Sequence, residues 1–332
     1  MSDLFEILDN AQNITMTIAD ALIVISNKLN NPNYKVIVCA ISGGSDSDVL
    51  LDMIAKLDAG KKVKYVFFNT GLEYQATKEH LLYLEQKYNI KIKTINAVLP
   101  IPTCNKKYGQ PFLSKQVSEW IERLQRHNFK WEDKPFEELL KEYPKCKAAL
   151  KWWCNEWKRG KDGRESKFNI AYNKYLKEFM IANPPKFYIS NKCCYYAKKL
   201  PVHNFNVENN VDLSINGVRK AEGGARSTAY KNCFTSGEVK GQWDEYRAIF
   251  WFKGEDKIAY EKAFNVTHSR CYTEYGLTRT GCAGCPFGRD FEQELEIIQK
   301  YEPKLYKAVN NIFGDSYEYT RRYKKFVEDM KQ

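Results

Sequence analysis

Two groups of residues in this chain have types and spacings that can do chemistry. The first is Ser42-Gly43-Gly44-Ser45-Asp46-Ser47, set between an apolar run, YKVIVCAI at 34–41, and a run of helical period, VLLDMIAKL at 49–57. Glycines let a backbone turn sharply and approach a phosphate closely. The helix that follows offers unpaired N–H groups and the positive end of its dipole, and Ser42 and Ser47 add hydroxyls. Asp46 would repel a bare phosphate, but it fits the loop if Mg²⁺ bridges it to the phosphates. The bland alternative is a serine-rich turn that caps a helix, and the order of residues in this context favours phosphate binding. No GxxxxGK[ST] pattern occurs, which argues against a γ-phosphate kinase or ATPase.

The second group is thiols. The chain has 10 Cys, and its first residues, MSDLFEILDNAQNITM, do not read as an export signal; in the reducing compartment then expected, such thiols are metal ligands, redox centres or small buried side chains rather than disulfides. Cys193 and Cys194 are adjacent, and Cys282 and Cys285 form a CxxC. A zinc ribbon uses two CxxC knuckles, which adjacent ligands do not fit well. A cuboidal 4Fe–4S cluster offers separate iron corners, so the order CC…CxxC favours iron–sulfur over zinc. Of the remaining cysteines, Cys39 reads as core, and Cys146 and Cys154 read as core in preference to a redox or persulfide pair. Cys104 lies in a basic stretch where a thiolate would be favoured, and Cys271 is near enough to the CxxC to carry sulfur. The four histidines, His80, His127, His203 and His268, show no HxxxH or HExxH spacing, so neither a hydrolytic zinc site nor a Ser-His-Asp triad is expected.

These motifs also carry a family resemblance. SGGSDS is similar to the SGGxDS pyrophosphate loop of the adenine nucleotide α-hydrolases. The segment Asn69-Thr70-Gly71-Leu72-Glu73-Tyr74, with Ala76-Thr77, resembles the DTGxExxET-type segment of the phosphoadenosine phosphosulfate (PAPS) reductase family, with Asn69 in place of the acid. CCYYAKKLPV at 193–202 resembles the CC-x-x-x-[RK]-K-x-x-P stretch of the iron–sulfur adenylylsulfate reductases. SINGVRK at 214–220 resembles TGLRR, and GLTRTGCAGCPF at 276–287 resembles RTGCxxCPF.

The resemblance implies an α/β fold with a doubly wound parallel sheet, a helical insertion and a Cys-rich iron–sulfur region. It implies a 4Fe–4S cluster on Cys193, Cys194, Cys282 and Cys285. It implies an adenine nucleotide held by Ser42, Gly43, Gly44, Ser45, Asp46, Ser47, Thr70, Gly71, Arg219 and Arg226, with Asp46, Ser47 and Arg219 catalytic. Two departures matter. No cysteine follows Cys285 to act as the sulfonucleotide reductase nucleophile, and the loop keeps Asp46 and Ser47, which those reductases commonly lack. Both point to an enzyme that splits ATP with Mg²⁺ at the α–β bond and adenylates a substrate, with sulfur transfer to DNA or tRNA as the outcome. The rivals are a PAPS or adenylylsulfate reductase releasing sulfite and a non-catalytic nucleic-acid-binding relative. Further expected partners are a sulfur-donor protein or thioredoxin and a second copy of the chain.

The elements that must position these residues follow from periodicity. A helix is expected over 3–30, strands at 34–41, 63–68 and 90–95, and a helix over 77–88; alternating strands and helices imply a parallel sheet. Phe187–Ser190 and Val211–Ile215 are expected to return to the sheet. We divide the chain into 1–99 (N-terminal helix and nucleotide-binding half), 100–185 (basic helical insertion) and 186–332 (the rest of the α/β domain, the cluster ligands and C-terminal helices). The 332 residues are 43% hydrophobic and 28% charged, ordinary for a globular protein. No run nears the roughly 18 apolar residues of a membrane span, so a cytoplasmic protein is expected. Of the net +11, residues 145–199 carry +10, from 14 Lys+Arg and 4 Asp+Glu, together with 11 aromatics. That segment is either a surface for a polyanion, with bases stacked on its rings, or a solvated face with its Trp and Tyr packed inward.

Overall fold

The β-branched run Ile37–Ile41 forms β1, with four of its five residues buried. In the computed structural model, which describes residues 7, 14–160, 162–223, 229–239, 242–288 and 290–332, this strand lies inside a six-stranded sheet. Its neighbours are β2 (Val63–Asn69) and β4 (Leu213–Asn216); β3 (Ile92–Asn96) lies beyond β2, and β6 (Asp244–Arg247) and β5 (Phe234–Thr235) lie beyond β4. Every pairing is parallel except β5 on β6. The order β3-β2-β1-β4 reverses direction at the β1–β4 seam, where doubly wound sheets open a crevice at the carboxyl ends of their strands. The α/β reading is therefore correct in class and in the parallel sense of the sheet.

The chain divides into two compact units, Met1–Val98 with Ala197–Cys282, and Leu99–Tyr196 with Ala283–Gln332. The first holds the sheet. Its helices are α1 (Met16–Asn30), α2 (Ser45–Leu57), α3 (Gln75–Tyr88), α4 (Leu200–Glu208) and α5 (Gly254–Phe264). Helix α1 starts where Thr15 accepts the Ile18 N–H, so Ile14 and Thr15 precede it, contrary to the helix expected from residue 3; of the earlier positions only Ile7 is among the described residues. Its buried face, Ile18, Leu22, Ile25 and Leu29, joins β1 and the apolar face of α2 in one core.

The second unit is helical and builds its own core. Trp152 and Trp153 are fully buried. Trp152 stacks on Trp120 with ring centroids 5.4 Å apart, and the Trp153 indole donates to the Glu132 carbonyl at 2.9 Å. Of the two readings of the basic aromatic segment, this supports packed aromatics for Trp152 and Trp153. Phe187–Ser190 does not return to the sheet, contrary to expectation. Ile189 makes an isolated parallel bridge to Gln110 and is fully buried in the aromatic core of this unit, so its apolar character serves a different core. The helix Pro303–Asp329 contributes Tyr319 and Tyr323 to that core. Among the described residues no helix is long and apolar enough to cross a membrane.

Replacing a buried Trp by Ala removes its transfer free energy and leaves a cavity, costing about 3–5 kcal/mol. Trp152→Ala is expected to lower the unfolding free energy by that amount in denaturant titrations. A loss below about 1 kcal/mol, the scale of a surface change, would contradict the placement of Trp152 in this core.

Candidate active site

The site is built where β1 ends. Gly43 has φ +67, and a Cβ there would lie 2.7 Å from the Thr77 methyl, so glycine serves both the left-handed turn and the close approach of α3. The loop also bonds to itself. The Ser42 N–H donates to Ser47 Oγ at 2.9 Å, and the Gly44 N–H donates to Ser42 Oγ at 3.3 Å. Helix α2 then starts with Gly44 as a cap that supplies no side-chain acceptor. Its first amides keep their capacity to bind an anion.

Asp46, in the first turn, is flanked by two cations. Its Oδ1 lies 2.9 Å from Arg219 Nε and 3.0 Å from Lys257 Nζ. Lys257 also donates to Ser45 Oγ at 2.5 Å. Gly217, just after β4, passes so close that a Cβ would meet the Asp46 carbonyl at 3.1 Å. These groups line a cavity of about 500 Å³ at the carboxyl ends of β1, β2 and β4, with Thr70, Lys198 and Thr280 on its walls. The structure thus gathers Ser42, Gly44, Ser45, Asp46, Ser47, Thr70 and Arg219 around one cavity. Gly43 shapes the loop behind it.

The turn after β2 carries Thr70 and Gly71. Thr70 donates to Glu73 Oε1 at 2.6 Å, and the Gly71 N–H donates to Asn69 Oδ1 at 2.9 Å. Asn69 also donates to Asn96 at 3.1 Å, so its amide shapes the turn and ties β2 to β3. Lys220 does not face the cavity; its Nζ lies 5.0 Å over the Trp251 ring. Arg226 lies outside the described residues.

Sequence reasoning missed Lys257, and it missed a buried chain of titratable groups behind the loop. Asp48, fully buried on α2, meets His80 Nε2 at 3.0 Å and His268 Nδ1 at 2.8 Å. His268 Nε2 lies 2.8 Å from Glu261, and Glu261 lies 3.6 Å from Lys257. The i,i+4 pair Lys257 and Glu261 on α5 was a visible signal of a charged face. Nothing local linked that face to a loop so far back in the sequence.

The cysteines separate by environment. Burial pushes the Cys39 thiol far up, in keeping with core packing. Cys104 is on a helix, Ile101–Tyr108, and is buried there. Burial outweighs Lys192 and Lys107 and raises its thiol to about 11, so the favoured thiolate expected for a basic loop is not found. Cys146 Sγ lies 3.7 Å from the Arg123 carbonyl and Cys154 Sγ lies 3.9 Å from the Lys134 carbonyl, with burial raising both thiols. Cys271 is buried with its sulfur 3.7 Å from Thr77 Oγ1.

Of the expected cluster ligands, Cys282 falls in the first unit and Cys193, Cys194 and Cys285 in the second. Burial raises the Cys282 thiol, opposed chiefly by the charge of Lys198. A cation beside the sulfur suits a thiolate ligand. Among the described residues no three His, Cys, Asp or Glu side chains gather into a set that could hold a metal ion.

Residues 36–152 match the family model of the phosphoadenosine phosphosulfate reductase domain. The uncharacterized protein MJ0066 of Methanocaldococcus jannaschii is 25% identical over 288 residues, which is 85% of this chain and 42% of that protein. The chain thus spans less than half the length of that curated relative. The PAPS reductase of Candida auris in its phosphate complex is similar at 13% identity and a TM-score of 0.42, covering 79% of this chain and 87% of that one. The U34-tRNA thiolase NcsA of Methanococcus maripaludis, solved with its 4Fe–4S cluster, shows 11% identity and a TM-score of 0.38 over 93% and 80%. The NH3-dependent NAD synthetase of Campylobacter jejuni shows 13% identity and a TM-score of 0.36 over 92% and 95%.

His268 gives the site a pH signature. Burial opposes its charged form, but the hydrogen bonds and charges of Asp48 and Glu261 outweigh burial and raise it to about 9. The unfolded imidazole titrates near about 6.5. The stability it contributes is therefore fully present below that pH and is lost as pH rises through about 9. In urea titrations the wild type is expected to lose stability across this window, and His268→Gln is expected to remove that part of the slope. Parallel slopes in the two proteins would contradict it.

Proposed function

We propose that the cavity binds ATP with its magnesium and that the enzyme splits the nucleotide between its α and β phosphates to adenylate a substrate. The observation that supports this reading best is the pairing of an uncapped helix start with two cations that converge on Asp46. The pyrophosphate would lie in the loop from Ser42 to Ser47, on its backbone amides and hydroxyls. An oxygen of the substrate attacks the α phosphorus. The bond from that phosphorus to the α–β bridging oxygen breaks, and pyrophosphate leaves with the electron pair. Arg219 and Lys257, fixed in a low-dielectric cleft, offset the charge that develops on the leaving group. Asp46 would ligate the magnesium that enters with ATP, which would leave Arg219 and Lys257 free for the phosphates.

Cys193, Cys194, Cys282 and Cys285 are the thiols that would hold a 4Fe–4S cluster, and such a cluster supplies redox-active iron. The activated substrate is then a nucleic acid prepared for sulfur transfer in the cytoplasm. The family match of residues 36–152 also favours a second reading, a sulfonucleotide reductase that releases sulfite.

Nucleotide turnover separates the two. Asp46→Asn keeps the shape of the loop and removes its charge. Losing a catalytic metal ligand commonly costs several kcal/mol, so pyrophosphate release from ATP is expected to fall by about 100-fold. Sulfite release from PAPS, undiminished in Asp46→Asn and with no pyrophosphate from ATP in wild type, would establish the reductase instead.

Anaerobically purified protein is expected to carry about four irons with broad thiolate-to-iron absorbance. Alanine at Cys193, Cys194, Cys282 or Cys285 is expected to bleach it, whereas Cys39→Ala is not. Stoichiometric zinc in place of iron would overturn the cluster assignment.

A further inference from the structure

A second cleft, of about 690 Å³, opens in the sheet-bearing unit near the amino-terminal ends of β2 and β3. These are the strand ends away from the phosphate loop. Its apolar residues include Val66 and Phe205, and Lys61, Lys64, Lys91 and Lys93 line it as well. All four lysines are exposed. The register pairs Tyr65 with Ile92 and Val66 with Lys93, and one step back along it Lys64 lies beside Lys91.

Asp58 lines the same cleft, but among the described residues its carboxylate is engaged by backbone N–H groups and not by these lysines. Asp58 accepts the Lys62 and Val63 N–H groups at 2.8 and 2.9 Å, and Glu85 accepts the Ile92 N–H at 2.7 Å. Among the described residues none of the four lysines forms an ion pair, and only Lys93 has an aromatic partner, with its Nζ 5.4 Å over the Phe205 ring. Other lysines of this unit are engaged: Lys56 with Asp52 at 2.5 Å, and Lys257 with Asp46 at 3.0 Å.

Like charges side by side on neighbouring strands repel. Lysine on an edge strand is a known guard against edge-to-edge pairing. That accounts for Lys91 and Lys93, because β3 is the edge, but not for Lys64 on the inner strand β2 or Lys61 in the turn before it. Alternate residues of a strand lie roughly 6.6 Å apart, the scale of successive phosphates on an extended nucleic acid strand.

We propose that this cleft binds single-stranded nucleic acid, with phosphates on Lys61, Lys64, Lys91 and Lys93. The assignment does not depend on what the phosphate-loop cavity catalyses. A positively charged groove that tracks the backbone is a general part of the solution for such strands.

The test is fluorescence anisotropy of short single-stranded RNA and DNA oligonucleotides against the full chain, with a polyglutamate peptide as competitor. Wild type is expected to bind at low salt, with log affinity falling linearly in log salt. A variant carrying Lys61→Gln, Lys64→Gln, Lys91→Gln and Lys93→Gln nearly keeps side-chain length, and is expected to melt like wild type. It is expected to bind at least tenfold more weakly and to show a shallower salt slope, by about 0.7 for each phosphate left without its lysine. A second variant with Lys151→Gln, Lys158→Gln and Lys167→Gln, on the other basic segment, is expected to bind as wild type does. Unchanged binding in the first variant, or weakening confined to the second, would overturn the assignment. Binding of polyglutamate in preference to both oligonucleotides would assign the cleft to an acidic protein instead.

Discussion

The Asp46 carboxylate joins three stretches of chain that are far apart in sequence. It belongs to the first turn of α2, Arg219 follows β4, and Lys257 is on α5, and both cations lie within 3.0 Å of its Oδ1. A charge removed from water must be matched closely, or its desolvation goes uncompensated. The rest of the unit can be understood as the means of meeting that condition. The parallel pairing of β1 with β4 brings the two loops to the same sheet end. Gly217 lets the β4 loop pass against the Asp46 backbone. Glu261 continues the line from Lys257 to His268, and so to the buried Asp48. Charges alternate along this line, and each acid on it has a basic neighbour.

The parts of this arrangement that were legible in sequence are those encoded locally. The apolar run before Ser42 made β1, the turn residues after it made the loop, and the helical period of 49–57 made α2, because each pattern depends on neighbours a few positions away. The lettering of SINGVRK likewise located Arg219. Lys257, Asp48 and His268 were not legible. Their meaning depends on tertiary partners, and a lone lysine or histidine carries no period. The basic aromatic segment was ambiguous for a similar reason: Trp152 and Trp153 had to be either surface or core, and only the helices that meet them decide it. Cys104 was misread because basic neighbours in sequence say nothing about burial, and burial sets its thiol.

The two ends of the sheet differ in how charge is handled. At the carboxyl ends of the strands Arg219 and Lys257 are paired with Asp46. At the amino ends of β2 and β3 four exposed lysines line a cleft and, among the described residues, form no ion pair. A parallel sheet aligns all its strand ends, so one layer can present two chemically distinct edges without either disturbing the other.

The pairing of Ile37 with Leu213 also governs when the molecule can become itself. On the ribosome, β1, β2 and β3 emerge early, but β1 keeps one edge open until β4 arrives, after the whole stretch from Leu99 to Tyr196 has been made. Closing so long a loop is slow, and an open strand edge in the meantime invites wrong pairing. The helical unit in between carries an aromatic core of its own, so it can condense while the sheet waits. The cavity at the β1–β4 seam is thus a late product of synthesis, complete only once β4 and α5 have been made.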